Sequence, residues 1–320
     1  MLCAAWAAGL ATAAPSVVGA PLSCPGGAVR VIVPVTAGGP LDRLARGLAE
    51  RLSINRGLPH VVENRSGGMT IPAWDAVAKA APDTCTLLVA STSGRTVLPF
   101  QTRLPYDPGR DLVPVTPLAD VPQLFVAHPS TGLHSLGDLV RRARQDPQGV
   151  TMAIPTPGAL THLAAVALQQ AAGIRLVEVP YRGGAPAALA VRSGEVAAMS
   201  ADVGAVLPQV QAGELVPLAT ASVRRLPQLP LVPTVAEAGF GDLEAVNVYA
   251  VFAPAGLPAE ALRSLHAHVE TAMRDPEIRQ SLLIVGMVPR TASPTAFASE
   301  LSEQVRKLEP LARRALQLGL

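Results

Sequence analysis

The sequence predicts an α/β protein of two lobes, each a mostly parallel sheet flanked by helices. Three observations predict it. The chain has 320 residues, more than one compact core usually takes. Hydrophobic residues make up 49% of it and aromatics only 3%, so Ala, Val and Leu must build the core, as buried strands of an α/β protein require. Short β-branched runs alternate with helical spacings, once before and once after a Pro-rich stretch.

In the first half, residues 30–35 read as a buried strand. Leu41, Leu44, Ala45, Leu48 and Leu52 follow at helical spacing. A strand at 60–63, a helix around Trp74, Val77, Ala78 and Ala81, and a strand at 86–90 complete a βαβαβ order. That order implies right-handed crossovers and a parallel sheet. The Pro-rich segment 106–129 is extended, with strand-like stretches at 113–118 and 123–127, and reads as the first crossing between lobes. Helices at 136–145, 161–172, 185–192 and 205–212 then alternate with strands at 150–154, 175–179, 196–200 and 216–221. The run 245–252 reads as the return crossing. Helices near 258–273, 276–283 and 294–318 are expected to pack on the first lobe. The expected division is a leader at 1–24, a first lobe of 25–121 plus 247–320, and a second lobe of 122–246. Two crossings make a hinged clamp.

The N-terminus has the apolar run and small-residue exit of an export signal, though no basic residue precedes the run. It is too short to span a membrane, which needs roughly 20 apolar residues, and Pro, Gly and charges interrupt every later stretch. Cys3 falls in this leader. Cys24 and Cys85 each precede an expected strand, so parallel neighbours would let them bridge in an oxidising compartment. The alternatives are two unrelated thiols and, for Cys24 after Leu22-Ser23, an acylation site. A net charge of +2 from scattered arginines carries no nucleic-acid footprint.

Ligand chemistry is expected where strands end and helices begin. The first such loop is Thr36-Ala37-Gly38-Gly39-Pro40-Leu41-Asp42. Its glycines allow close approach, and the following helix N-terminus favours an anion. Gly39, Pro40 and Asp42 also suit a plain N-cap, first helical residue and first-turn acid. The second loop, Thr156-Pro157-Gly158-Ala159-Leu160-Thr161-His162, repeats the layout, with hydroxyls at Thr156 and Thr161. His162 either contacts a ligand or braces its own helix. Neither loop is G-x-G-x-x-G or a Walker loop, so nucleotide cofactors are excluded. Metal-ligand spacing is absent, and no nucleophile elbow or paired carboxylate accompanies His128, His134 or His162, which argues against an enzyme.

From about Val29 to near the C-terminus the chain resembles the extracytoplasmic receptors of the tripartite tricarboxylate transporter family, the Bug proteins. The resemblance rests on Val31-Ile32-Val33-Pro34 with Ala37-Gly38-Gly39 and Asp42, and on Val62-Glu63-Asn64-Arg65. It continues through Leu104-Pro105-Tyr106-Asp107-Pro108, Val179-Pro180-Tyr181-Arg182-Gly183 and Val232-Pro233-Thr234-Val235-Ala236-Glu237-Ala238-Gly239. It implies a periplasmic Venus-flytrap fold of the type II periplasmic-binding-protein class, whose two loops grip a ligand carboxylate. The implied contacts are Thr36, Ala37, Gly38, Gly39, Asp42, Thr156, Gly158, Ala159, Thr161 and His162, with Ser91, Ser93, Gly94, Tyr181 and Asp202 beside them. The implied partners are a small organic carboxylate and a membrane permease of two subunits, one large and multi-span and one small. No cofactor is implied, and the receptor is expected to be a monomer.

The departures from the family pattern shape the expected ligand. Pro40 removes an N–H donor. Ala159 and Leu160 stand where hydroxyls are usual, a typical Asp-Asn pair is replaced by Ala201-Asp202, and Arg95 is added. Fewer donors raise the cost of burying several carboxylates. The expected ligand is therefore a monocarboxylate with an apolar or aromatic body, with Arg95 compensating if it faces the cleft. A sensing receptor, or a drifted copy with weak binding, is the alternative.

Overall fold

The computed structural model describes residues 24–181, 183–241 and 243–317. The expected leader, apart from Cys24, lies outside these residues, as does Arg182.

The chain opens with β1 (Val29–Val33), α1 (Pro40–Arg56), β2 (His60–Asn64), α2 (Ile71–Ala78), β3 (Thr86–Ser91) and the short α3 (Ser93–Thr96). In α1, Pro40 takes the first helical turn, where its missing N–H costs nothing, and Gly57 ends the helix in the left-handed region at φ 64°. Leu41, Leu44, Ala45, Leu48 and Leu52 bury one stripe of the helix. β1 pairs in parallel with β2 and β3.

β4 (Leu112–Ala127) follows, then α4 (Leu136–Gln145), β5 (Thr151–Ile154), α5 (Leu160–Ala172), β6 (Val177–Pro180), α6 (Gly184–Arg192), β7 (Ala198–Asp202), α7 (Val203–Gln211) and β8 (Val216–Thr220). β9 (Val246–Pro254), α8 (Ala259–Met273), α9 (Pro276–Ile284), β10 (Val288–Pro289) and α10 (Pro294–Gln317) complete the chain.

The strands run β2-β1-β3-β9-β4-β7-β5-β6, with β8 and β10 also beside β4. The outer strands are parallel, β5 with β6 and β7 as β1 with β2 and β3. Where the chain crosses, the pairing is antiparallel: β3 with β9, β9 with β4, and β4 with β7 and β8. The sheet is therefore mixed. The two strand-like stretches expected at 113–118 and 123–127 are one strand of 16 residues. Pro114, Pro117 and Pro122 donate no ladder hydrogen bond, and the register with β9 shifts at Pro114/Thr116 and Pro117/Ala119. Those breaks make one continuous strand look like two. β4 faces β9 through Pro122 and β7 from Gln123 onward, so one strand joins both halves of the sheet.

Each half is filled on both faces. In the first, Val31, Val33, Leu87 and Val89 pack with α1, α8 and α9, while Ile32, Leu88 and Ala90 face Trp74, Phe252 and Phe297. The ring centroids of Trp74 and Phe252 lie 4.9 Å apart. In the second, Phe125 and Ala127 pack with α4 and α5, and Leu124 and Val126 with α6 and α7. α10 touches both halves. Phe297 and Leu301 are buried in the first, and Ala312 and Ala315 pack with Val97 and with Leu163 and Val166 of α5.

The sulfurs of Cys24 and Cys85 are bonded, joining the residues ahead of β1 to the start of β3 across 61 positions. Cys24 is therefore not a free thiol for acylation. Closing a loop of that length restricts the unfolded chain by about 4 kcal/mol in the chain-entropy treatment. The double variant Cys24→Ala, Cys85→Ala is expected to lose roughly 2–4 kcal/mol of unfolding free energy in a denaturant titration. An unchanged midpoint would remove the disulfide from the account of stability.

Candidate functional site

The loops after β1, β3, β5 and β7 lie at the carboxyl ends of parallel strands. Two of them share one internal geometry. In the first, the Gly38 N–H donates to Asp42 Oδ2 at 2.8 Å. In the second, the Gly158 N–H donates to His162 Nδ1 at 2.8 Å. In each, a glycine in the left-handed region bonds the side chain four residues on, in the first turn of a helix. That spacing turns each loop back onto its own helix N-terminus, where first-turn N–H groups have no intrahelical partner.

The bracing side chains are themselves held. Asp42, 2% exposed, accepts from Arg46 Nε at 3.0 Å and from Asn64 Nδ2 at 2.8 Å. Burial alone would raise its carboxyl, but the bonds from Arg46, the Gly38 N–H and Asn64 outweigh it and hold the pKa at about 2. His162 is fully buried and its Nε2 donates to Glu178 Oε2 at 3.1 Å, with Gln169 donating to the other Glu178 oxygen at 2.7 Å. Burial pushes Glu178 up, and its bonds to His162 and Gln169 more than offset that. Of the two readings of His162, the structure shows the brace. Asp42 acts in the same way.

A polar seam lies where β4 and β9 cross. The Ser91 hydroxyl is 2.6 Å from that of Ser93 and donates to Asn247 Oδ1 at 2.5 Å. On the other side of the crossing, Gln123 Nε2 donates to Asp202 Oδ1 at 2.5 Å, and the Tyr249 hydroxyl approaches Asp202 Oδ2 at 3.4 Å. The Asp202 residue is half-buried between β4 and β9. Burial pushes its carboxyl above the usual range, against the bonds from Gln123, Asn247 and Tyr249. Gln123 Oε1 and Thr161 Oγ1 are buried without a hydrogen-bond partner. Such atoms are costly unless a ligand or water meets them.

The structure thus joins Ser91, Ser93 and Asp202 through Gln123, Asn247 and Tyr249, which sequence reasoning missed. The usable signal was a buried amide inside each crossing strand, Gln123 and Asn247, among apolar neighbours. Thr36, Ala37 and Gly38 are exposed, Gly39, Ala159 and Thr161 are half-buried, and Thr156 is exposed. Gly94 packs against Trp74. A Cβ there would lie 2.3 Å from the Trp74 ring, so packing requires the glycine. The Tyr181 hydroxyl donates to Glu195 at 3.2 Å. Leu160 is buried in its own core rather than standing in a hydroxyl position. Arg95 turns from the seam and donates to the carbonyls of Pro108 and Leu112. From the first half, the Gln101 side chain donates to the Gly158 carbonyl and so touches the second loop.

A cavity of about 1120 Å³ lies elsewhere, lined by Pro122, Val246, Val248, Leu163 and Leu308. Along β4 and β9, Pro122, Val246 and Val248 face this cavity while Gln123, Asn247 and Tyr249 face the seam. The cavity's Arg290 and Lys307 are already paired, with Asp120 and Glu300 and with Glu303. The seam joins an unmet polar atom, Gln123 Oε1, to a carboxylate with no cationic partner bonded to it, and is the better candidate. Among the described residues there is no cluster of three metal-ligating side chains, and no helix is long and apolar enough to cross a membrane.

The tripartite tricarboxylate transporter family receptor profile, TctC, matches residues 44–316. The chain belongs to this family. The receptor is 32% identical over 295 residues to protein BugT of Bordetella pertussis, covering 91% of this chain and 90% of that one. Among solved structures it resembles R. palustris Rpa4515 with adipate, at 32% identity and TM-score 0.81, covering 90% and 96% of the two chains. It also resembles MatC (Rpa3494) from Rhodopseudomonas palustris with bound malate, at 26% and 0.80, covering 89% and 98%. For the periplasmic binding protein BugD the values are 27% and 0.81, covering 91% and 98%. The receptor is therefore a solute-binding protein of the TctC/Bug type with the periplasmic-binding-protein fold, not an enzyme.

Two measurements check the bracing. Asp42 has a folded pKa below its unfolded one, so its contribution is complete above about pH 4 and is lost as pH falls toward 2. Asp42→Asn is expected to cost about 1–3 kcal/mol at neutral pH and less at about pH 3 in thermal melts. Gln101→Ala is expected to lower protection of the Gly158 loop in hydrogen exchange while leaving β1 unchanged.

Proposed function

We propose that the receptor captures a small carboxylate between its two braced loops, favouring a monocarboxylate with an apolar or aromatic body, and delivers it to a membrane permease of two subunits. The lobes are 25–121 with 247–320 and 122–246, hinged on β4 and β9, and the clamp works as a monomer in the periplasm. The observation that carries the reading is the repeated glycine-to-side-chain bond, Gly38 to Asp42 and Gly158 to His162, at two helix N-termini. Such termini favour an anion. Similar structures with adipate and with bound malate support a carboxylate as the ligand.

The preference for one carboxylate has three supports. The Gly38 and Gly158 N–H groups are already engaged, Pro40 has none, and Asp202 stands at the seam without a cationic side chain bonded to it. One ligand carboxylate there already meets a like charge, and a second would add to it. The first-turn N–H groups, Thr36, Ser93, Thr161 and ordered water remain to hold the first.

A thermal-shift screen of the mature chain tests this. Benzoate-like and aliphatic monocarboxylates are expected to raise the midpoint, by about 2.7 kcal/mol of added stability at a hundredfold excess over Kd. Tight binding of citrate or malate with no monocarboxylate response would overturn the preference.

A further inference from the structure

We propose that Asp202 sets the charge this receptor accepts, so that an anionic ligand is captured together with one proton shared at the seam. The proposal rests on the reading that the ligand carries a carboxylate. Its basis is the placement of Asp202 and the neighbours it has.

Asp202 is the last residue of β7 and precedes α7, yet its side chain makes no capping bond to that helix. It turns instead to Gln123 on β4 and to Tyr249 and Asn247 on β9. None of these neighbours is cationic. β7 and α7 bring no other charged residue. From β3 and α3 come Ser91 and Ser93, while Arg95 is spent on the Pro108 and Leu112 carbonyls. The carboxylates that brace the two loops are engaged locally, Asp42 by Arg46 and Glu178 by His162 Nε2 and Gln169. A carboxylate brought to this seam therefore faces a second carboxylate with no counter-ion bonded to it.

Two enclosed carboxylates that cannot both stay ionised hold one proton between them. The proton comes from solvent on binding and leaves with release, and no other bond changes. The protonated carboxyl then offers a donor to the ligand, replacing one of the donors that Pro40 and Ala159 do not supply. The enclosure that already raises the Asp202 carboxyl makes this proton uptake easier.

Isothermal titration of the intact receptor with benzoate and with adipate, in two buffers of different ionisation heat, reads the proton directly. Wild type is expected to take up close to one proton per ligand and to bind about a hundredfold more tightly near pH 6 than near pH 8. Asp202→Asn, checked by its melt, is expected to bind without proton uptake and with less than about twofold dependence on pH. Wild-type binding without proton exchange overturns the proposal and leaves carboxylate capture standing, as does preferential binding of an amino acid whose ammonium supplies the missing charge. No binding of any carboxylate by either protein overturns both readings. The wild-type buffer comparison decides the matter even where the variant fails to fold.

Discussion

The antiparallel ladder between β4 and β9 is the constraint on which the rest depends. Leu112–Pro122 of one strand lie against Val246–Pro254 of the other, and β4 then continues into the second half of the sheet. Side chains alternate across such a ladder, so each strand gives one face to the polar seam and the other to the opposite cavity. Gln123 reaches Asp202, and Asn247 reaches Ser91, because the register places them there. The braced loops follow β1 and β5, each one strand beyond the β3 and β7 that flank this ladder.

Most of the fold was legible because the sequence carries strong local signals. Apolar spacing in α1, α4 and α5 and β-branched runs in β1 and β3 marked elements to within a few residues. β4 was harder. Its prolines interrupt the ladder, and local reading cannot tell an interrupted strand from two short ones. The antiparallel insertion of β9 was equally hidden, since nothing in residues 246–254 states which strand they will join.

The site was legible only in outline. Several motifs that carry the family resemblance prove to be scaffold. Asn64 holds Asp42 and the Val35 carbonyl. Thr234 and Glu237 form a reciprocal capping box, with the Glu237 N–H donating to the threonine hydroxyl and the Thr234 N–H to the Glu237 carboxylate. Asp107 accepts the N–H groups of Gly109 and Arg110. Such residues keep loops in shape whatever ligand is taken. The residues of the polar seam lie on strands far apart in sequence, as Gln123, Asp202 and Tyr249 do, and only tertiary register brings them together. Arg95 shows the converse. A charge added near a strand end leaves a role toward the ligand open in the sequence, and in the fold two backbone carbonyls claim it.

The bond between Cys24 and Cys85 has a consequence for how the molecule comes into being. It ties down the stretch preceding β1, the first part of the fold to be synthesised. A chain kept in a reducing compartment lacks this tie, and its unfolded state is free of the restriction that the closed loop imposes. Material produced without an oxidising step is accordingly a different physical object from the bridged one, with the same sequence.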